Sequence, residues 1–342
     1  MKILILKPSS LGDVIHALPV LRLLKAHFPK GEIYWWLDSS LVPLLEKDPD
    51  LTGIIPFHRK HWATPKRWPE MLASVQTMRA HQFDWAIDLQ GLARSSIFAW
   101  LADAGLTIGL DNLREGSREG ARALYDLFPL RAPPEMHAVD RYLAVLPLLG
   151  VPVHQNFEWL PKRPDIAAQL EQKWPASKSN WITLLPGGRW DNKRWPASNF
   201  AQLISLMRQH NDAKFVILGS KDEQALGQSI AATDPERCLN LAGHTSLIEL
   251  IEWIRLSRLV ITNDTGPMHI AAALRRPVVA LFGPTFPAST GPYGQLANVL
   301  QNTTLPCVPC LRQRCAYRDP LACLHSITPL AVAQKATATL AG

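Results

Sequence analysis

Leu259-Val260-Ile261-Thr262-Asn263-Asp264-Thr265-Gly266-Pro267-Met268-His269 reads as an apolar strand that turns through Asp-Thr-Gly-Pro into a helix, continued by the Ala-rich run that follows. Strand, tight turn and helix in that order form the building unit of a parallel α/β sheet. The first N–H groups of such a helix lack intrahelical partners and carry the positive end of its dipole, which makes the turn a ready anion site, most often for phosphate. Pro267 suits the first helical turn, where no N–H is needed. Gly266 lets a ligand approach the main chain, and His269 would point from that turn towards the same ligand. The competing reading of the same residues is an ordinary βα loop with an Asp cap.

The alternation seen there extends along both halves of the chain. Residues 3–6 read as a buried strand, 14–27 as an amphipathic helix with Val14, Leu18, Leu21 and Leu24 at helical spacing, and 32–37 and 85–89 as further strands. The Pro-rich stretch Leu160-Pro161-Lys162-Arg163-Pro164 marks a hinge. Beyond it come strand 181–185, helix 198–208, strand 214–218, helix 247–255 and strands 259–262 and 278–282. The expected fold is α/β, with two Rossmann-like doubly wound domains, residues 1–160 and 161–342, facing a central cleft at the carboxyl ends of their sheets. Ligands bind at such strand ends.

Composition narrows the function. With 342 residues, 47% hydrophobic and 19% charged, the chain matches a soluble two-domain enzyme and neither a disordered nor a fibrous protein. No apolar run reaches the roughly 20 residues of a membrane span. Residues 1–7 are too short for a signal peptide, so a cytoplasmic location is expected. Residues 1–160 balance 17 Lys+Arg against 17 Asp+Glu, whereas 161–342 carry 19 against 12, so the whole excess of +7 lies in the second half. A basic half suits an anionic ligand such as a nucleotide diphosphate, or simply a solvated surface. Zinc-finger, helix-turn-helix and RNA-recognition signatures are absent, which argues against nucleic acid.

Three more strand-end loops carry chemistry. In Lys7-Pro8-Ser9-Ser10-Leu11-Gly12-Asp13, Gly12 permits a tight turn and Asp13 stands beside the expected cleft, where a carboxylate can take a proton from a hydroxyl nucleophile. Ser10-x-x-Asp13 also reads as a capping box that serves only the helix, and the loop alone leaves both readings open. Gly187-Gly188-Arg189-Trp190-Asp191-Asn192-Lys193-Arg194 follows a strand, placing backbone amides and an ammonium near a diphosphate; it lacks the Walker A ending. Its alternative is a solvated basic loop. Glu223, after Gly219-Ser220-Lys221-Asp222, suits ribose hydroxyls or simply a first helical turn.

Three stretches together resemble the signatures of the ADP-heptose:lipopolysaccharide heptosyltransferases, glycosyltransferase family 9. They are Ser9-Ser10-Leu11-Gly12-Asp13-Val14-Ile15-His16-Ala17-Leu18-Pro19, Asp88-Leu89-Gln90-Gly91-Leu92-Ala93-Arg94-Ser95 and Thr262 to His269, in the family's order. The resemblance implies the GT-B fold and an inverting transfer of heptose from ADP-heptose to the inner core of lipopolysaccharide. It implies no catalytic metal and no cofactor. Residue by residue, Asp13 matches the family's proposed base and Lys193 its diphosphate lysine. Glu223 matches the ribose-binding glutamate, and Asp264, Thr265, Gly266 and His269 match the loop holding the donor's heptose and phosphates. With Gly12, Gly187 and Gly188 these make up the expected donor site. The chain departs from the pattern in two places. Lys7 stands where many members have arginine, and Gly187-Gly188 replace a hydroxyl-bearing pair found in some heptosyltransferases I; the second departure puts the donor phosphate contacts, and with them donor identity, in question. The alternatives are a GT-B transferase or epimerase using another nucleotide sugar, or a non-catalytic glycolipid-binding relative.

For the acceptor, His58-Arg59-Lys60-His61-Trp62 and Lys66-Arg67-Trp68 mix cations with aromatics. That mixture suits a phosphorylated glycolipid at the inner membrane surface, with the protein peripheral to it. Arg59, Lys60, Arg94, Arg114 and Arg141 are the candidate acceptor residues, since arginine matches carboxylate and phosphate bidentately; local salt bridges are the competing role for each. Cys307, Cys310, Cys315 and Cys323 cluster near the end of the chain. Their spacing departs from paired zinc-ribbon motifs, leaving a structural metal, a disulfide or reduced thiols under a loop. Asp48-Pro49-Asp50 mimics a metal-binding Asp-x-Asp but reads as a turn.

Overall fold

A computed structural model describes residues 1–58, 62, 64–110, 121–174, 180–208 and 212–341. Chain contacts divide into two compact units, Met1–Pro161 and Lys162–Gly342. The first runs β1 (Lys2–Leu6), α1 (Leu11–His27), β2 (Glu32–Asp38), α2 (Val42–Leu45), β3 (Gly53–Phe57), α3 (Trp68–Ala80), β4 (Trp85–Asp88), α4 (Ala93–Leu101), β5 (Leu106–Gly109) and α5 (Ala138–Leu143). Its five strands are parallel, in the order β3-β2-β1-β4-β5. The second runs α6 (Pro164–Lys173), β6 (Trp181–Leu185), α7 (Ala197–Arg208), β7 (Lys214–Ile217), α8 (Gln224–Ala231), β8 (Cys238–Asn240), α9 (Leu247–Leu256), β9 (Leu259–Asn263), α10 (Gly266–Ala273), β10 (Val278–Phe282), α11 (Pro287–Thr290), β11 (Val299–Gln301), α12 (Ala322–His325) and α13 (Pro329–Ala341). Its six parallel strands are ordered β11-β10-β9-β6-β7-β8.

Both sheets reverse direction beside a central strand, β1 in the first unit and β6 in the second. That arrangement follows from the sequence. β6, β9 and β10 are mostly apolar and buried at every residue, as a parallel sheet covered on both faces requires, with Thr183, Thr262 and Asn263 the polar exceptions. On one face of the second sheet, Ile182, Leu184, Phe215, Ile217 and Leu281 pack with Phe200, Leu203 and Met207 of α7 and Val332 of α13. In the first unit, Leu4, Leu6, Trp36 and Phe57 meet Met78 of α3 and Phe98 of α4. Alternation along the strand leaves Ile3 and Ile5, equally buried, for the opposite face.

Two sequence expectations need correction. Helix α1 is not amphipathic: every residue from Val14 to Leu24 is buried, because the helix is packed against α5 as well as belonging to a covered sheet. The short strands β5, β8 and β11 escaped the pattern reading, since three or four residues carry too little periodicity. No helix among the described residues is long and apolar enough to cross a membrane.

The turn read at Asp48-Pro49-Asp50 is held by Arg22 of α1. Its guanidinium lies 2.6 Å from both Asp48 and Asp50 and donates to the Trp159 carbonyl, tying α1 to the end of its own unit. The Arg22 and Asp48 side chains are 6% and 1% exposed. A pair so deeply buried is costly to break, because one partner is left as an unpaired buried charge. Arg22→Met is therefore expected to destabilise the protein by about 3–5 kcal/mol in urea unfolding, and adding Asp48→Leu to recover much of that loss. A single-variant loss below about 1 kcal/mol would show that the pair behaves like a surface ion pair.

Candidate active site

Parallel strands all end at one edge, so the loops after β6, β7 and β9 gather at the carboxyl edge of the second sheet beside its switch strand. Asn263, the last residue of β9 and fully buried, joins two of them. Its side-chain amide donates to the carbonyls of Pro186 (2.7 Å) and Gly187 (3.1 Å), and its Oδ1 accepts from Trp195 N–H at 3.1 Å. Asn192 reaches further and donates to the Arg312 carbonyl at 2.7 Å, anchoring the same turn to the cysteine-bearing segment.

Lys193 stands on this framework. Its Nζ lies 2.6 Å from Asp264 Oδ2 and 4.6 Å from the centre of the Trp190 ring. Thr285 Oγ1 donates to the same Asp264 oxygen at 2.5 Å. Thr265 is the N-cap of α10, and Gly266 and Pro267 open the helix, as read from sequence. His269 is buried in its first turn.

Glu223 is held at both ends of its carboxylate. Oε2 accepts from Ser220 N–H at 2.7 Å, completing a capping box, and Oε1 accepts from Gly188 N–H at 3.1 Å. A Cβ at Gly187 would lie 1.8 Å from Glu223 Oε1, so glycine there is a requirement of packing. The structure therefore brings together Gly187, Gly188, Glu223, Lys193 and Asp264, with Thr265, Gly266 and His269 adjoining in the chain.

The first unit builds a second constellation at its own switch strand. Asp13 does what the capping reading expected: its Oδ2 accepts from the backbone N–H (2.8 Å) and hydroxyl (2.7 Å) of Ser10. Its Oδ1 lies 3.5 Å from the Tyr142 hydroxyl on α5, a long hydrogen bond. Gly12 is buried in the same first turn of α1. Lys7 is buried at the end of β1, donates to the Leu89 carbonyl at 3.0 Å and lies 4.5 Å from the centre of the Tyr142 ring. Asp88, fully buried at the end of β4, accepts from Gln90 and Gly91 N–H and from the Tyr125 hydroxyl at 2.7 Å. Burial pushes its carboxyl up, against those hydrogen bonds.

Of the acceptor candidates, Arg141 neighbours Tyr142 on α5, with its Nε buried and without a hydrogen-bond partner among the described residues, while Arg94 is exposed in the first turn of α4. Arg59, Lys60 and Arg114 lie outside the described residues. Cys307, Cys310, Cys315 and Cys323 are all free thiols. The first three line a cavity of about 280 Å³ with Arg312 and Tyr317. Among the described residues, no three His, Cys, Asp or Glu side chains are arranged to hold a metal ion. Burial first, then the neighbouring Cys315, Cys307 and Cys310, pushes the Cys323 thiol up.

The sequence reading missed Asn263, although it is adjacent to the motif residue Asp264; a buried amide at a strand end was the available signal. Thr285 and Tyr142 had none, because they reach their partners across 21 and 129 residues.

The profile of glycosyltransferase family 9 (heptosyltransferase) matches residues 71–320. The lipopolysaccharide heptosyltransferase 1 of Pseudomonas aeruginosa is 31% identical over 336 residues, 93% of this chain and 88% of that one. The lipopolysaccharide core heptosyltransferase OpsX of Haemophilus influenzae is 30% identical over 297 residues, 86% of this chain and 83% of that one. Among solved structures, the Escherichia coli heptosyltransferase WaaC with ADP superposes with a TM-score of 0.77 at 26% identity, covering 99% of this chain and all of that one.

The Gly187–Glu223 contact is testable by itself. Gly187→Ala must displace the carboxylate from the Gly188 and Ser220 amides, costing about 1.5–3 kcal/mol of stability for hydrogen bonds to a charged group. The same substitution on a Glu223→Ala background should cost under about 0.5 kcal/mol, within the range of uncoupled changes. Equal costs in both backgrounds, measured by urea unfolding, would refute the contact.

Proposed function

The chain belongs to glycosyltransferase family 9, the heptosyltransferases, and on that footing we propose that it moves heptose from ADP-heptose onto the inner core of lipopolysaccharide with inversion at the anomeric carbon. The observation that carries this reading is the locked strand-end group of the second unit. There a lysine held by Asp264 stands beside the N-terminus of α10, with Glu223 fixed against Gly188. Lys193 contacts the donor's diphosphate. Because Asp264 already orients it, less side-chain freedom is lost when ADP arrives. The amides opening α10 add partial positive charge to the departing ADP. Asp264, Thr265, Gly266 and His269 hold heptose and phosphates, while Gly188 leaves room for the nucleotide and Glu223, seated against Gly187, takes the ribose.

Asp13 accepts the proton of the acceptor hydroxyl as that oxygen attacks the anomeric carbon. The bond from that carbon to the diphosphate oxygen breaks and ADP leaves, which inverts the centre in one displacement. Capping and catalysis use different parts of the carboxylate. Ser10 holds Oδ2 and fixes the orientation of the group, and Oδ1, which the Tyr142 hydroxyl approaches at 3.5 Å, is the oxygen that takes the proton. Arg94, Arg114, Arg141, Arg59 and Lys60 serve the acid groups of the acceptor.

The acceptor is a lipid, so the protein works at the inner face of the membrane as a peripheral enzyme of the cytoplasm. Supporting this, α3 and α4 lie together on one face of the first sheet and expose Trp68, Leu72, Ile97 and Trp100, each between 46% and 59%. The segment 58–68 leading into α3 has four Lys or Arg and no carboxylate, although the first half is neutral as a whole. Apolar side chains and indoles beside cations match an anionic bilayer surface.

Asp13→Asn keeps an acceptor for the cap but no base, so turnover should fall by about 10²–10⁴ with ADP affinity close to unchanged. Near-wild-type turnover would remove Asp13 from the reaction. Lys193→Ala should weaken ADP binding about 10–100-fold, as expected for a lost charge-assisted hydrogen bond, and slow transfer by about 10²–10³. Unaltered ADP affinity, or faster transfer from a GDP- or UDP-sugar in a donor panel, would contradict the donor assignment. Leu72→Gln with Trp100→Gln should lower sedimentation with phosphatidylglycerol vesicles by roughly tenfold and leave turnover on a deacylated acceptor unchanged. Equal sedimentation would show that this face does not dock.

A further inference from the structure

Lys7 and Tyr142 belong to no shared motif, yet the fold brings both to Asp13. Tyr142 is buried on α5, and its hydroxyl is the donor lying 3.5 Å from Oδ1, while Ser10 occupies Oδ2. Lys7 is 2% exposed, and its ammonium packs over the Tyr142 ring. An ammonium in such a place costs free energy unless nearby charge offsets the loss of water. The ammonium donates to the Leu89 carbonyl at 3.0 Å, but a neutral donor would satisfy that carbonyl as well, so neither packing nor this bond requires a full positive charge there. Burial lowers the affinity of Lys7 for its proton, but Tyr142, Asp13 and Asp88 together more than reverse this and raise it above the ordinary lysine value. Burial, with Asp13 adding to it, raises the Tyr142 phenol despite Lys7, so that phenol keeps its proton and remains a donor.

We infer that Lys7 and Tyr142 are positioning residues for the base: the phenol fixes the Oδ1 edge of Asp13, and the ammonium behind its ring stabilises the ionised carboxylate. The inference rests on the reading of Asp13 as the base. It also gives a physical sense to the departure at position 7, since lysine and arginine both supply a buried positive charge there.

Among the described residues, the charged and titratable groups around Asp13 on the elements packed there are Lys7 at the end of β1, Asp88 of β4, Tyr142 and Arg141 of α5, His16 of α1 and His137 at the N-cap of α5. The two histidine rings meet edge-on, 5.0 Å apart, where α1 packs on α5. Tyr142→Phe removes only the hydroxyl, which faces both Asp13 and Lys7, so a difference between its pH profile and the wild-type profile reports the loss of that hydroxyl.

The sign is set by which form each group favours. A hydrogen bond donated to the carboxylate, and a positive charge near it, both favour the ionised state. Removing either lets Asp13 hold its proton to higher pH, and the acid limb of the kcat profile moves up. Tyr142→Phe is expected to shift that limb by about one pH unit, so activity on the limb falls about tenfold while the plateau stays within about threefold. Affinity for ADP should not change. Lys7→Met should shift the limb further in the same direction, and Lys7→Arg should restore it.

Asp13→Asn is run in parallel. If it retains turnover, both the base assignment and this inference fall. If it is inactive but the Tyr142→Phe and Lys7→Met profiles superimpose on wild type, or fall uniformly at every pH, the inference alone is overturned. A Lys7→Met protein that does not fold leaves the decision with Tyr142→Phe, whose ring still fills the same space.

Discussion

Parallel pairing is the constraint on which the structure depends. A strand that pairs in parallel with both neighbours must finish at the same edge as they do, and each loop that follows then opens at that edge. In the second sheet this places the residues after β6, β7 and β9 side by side, although they come from points in the chain far apart. The Asn263 amide converts that adjacency into a fixed geometry by bonding the Pro186 and Gly187 carbonyls and the Trp195 amide. Each of these backbone groups would be costly to leave unpaired away from water.

The same economy recurs in the carboxylates. Glu223 caps its own turn and holds Gly188; Asp264 receives both Lys193 and Thr285; Asp13 caps α1 and meets Tyr142. A group fixed by its own helix terminus needs little reorganisation when a ligand arrives, which is how preorganised sites gain over flexible ones. Capping is therefore compatible with the role as base proposed for Asp13. Its hydrogen bonds to Ser10 set the direction in which the other oxygen points. Asp48 and Asp50 show the contrasting case: consumed by a buried arginine, they hold up the fold and offer nothing to a metal.

The cysteine segment adds a physical link between its loop and the lysine turn. Asn192 precedes Lys193 and donates to the Arg312 carbonyl, and the space at Gly283 is bounded by both the Asn192 carbonyl and the Cys323 sulfur. The partly buried Cys323 side chain packs there as a small hydrophobe beside the backbone of the lysine turn.

Sequence alone determined the elements that local chemistry specifies. Short, mostly apolar runs marked β6, β9 and β10, and Ser10-x-x-Asp13 marked the start of α1. The Asp-Thr-Gly-Pro turn located α10, because glycine, proline and capping residues constrain only their immediate neighbours in the chain. The tertiary structure decided what depends on distance through space. It turned α1 into a fully buried helix, drew Lys193 to Asp264, set Glu223 over Gly187 and brought Tyr142 to Asp13. Those pairs are separated by tens of residues or more, and no periodicity or spacing along a chain encodes which buried polar groups will meet once its strands have been laid side by side.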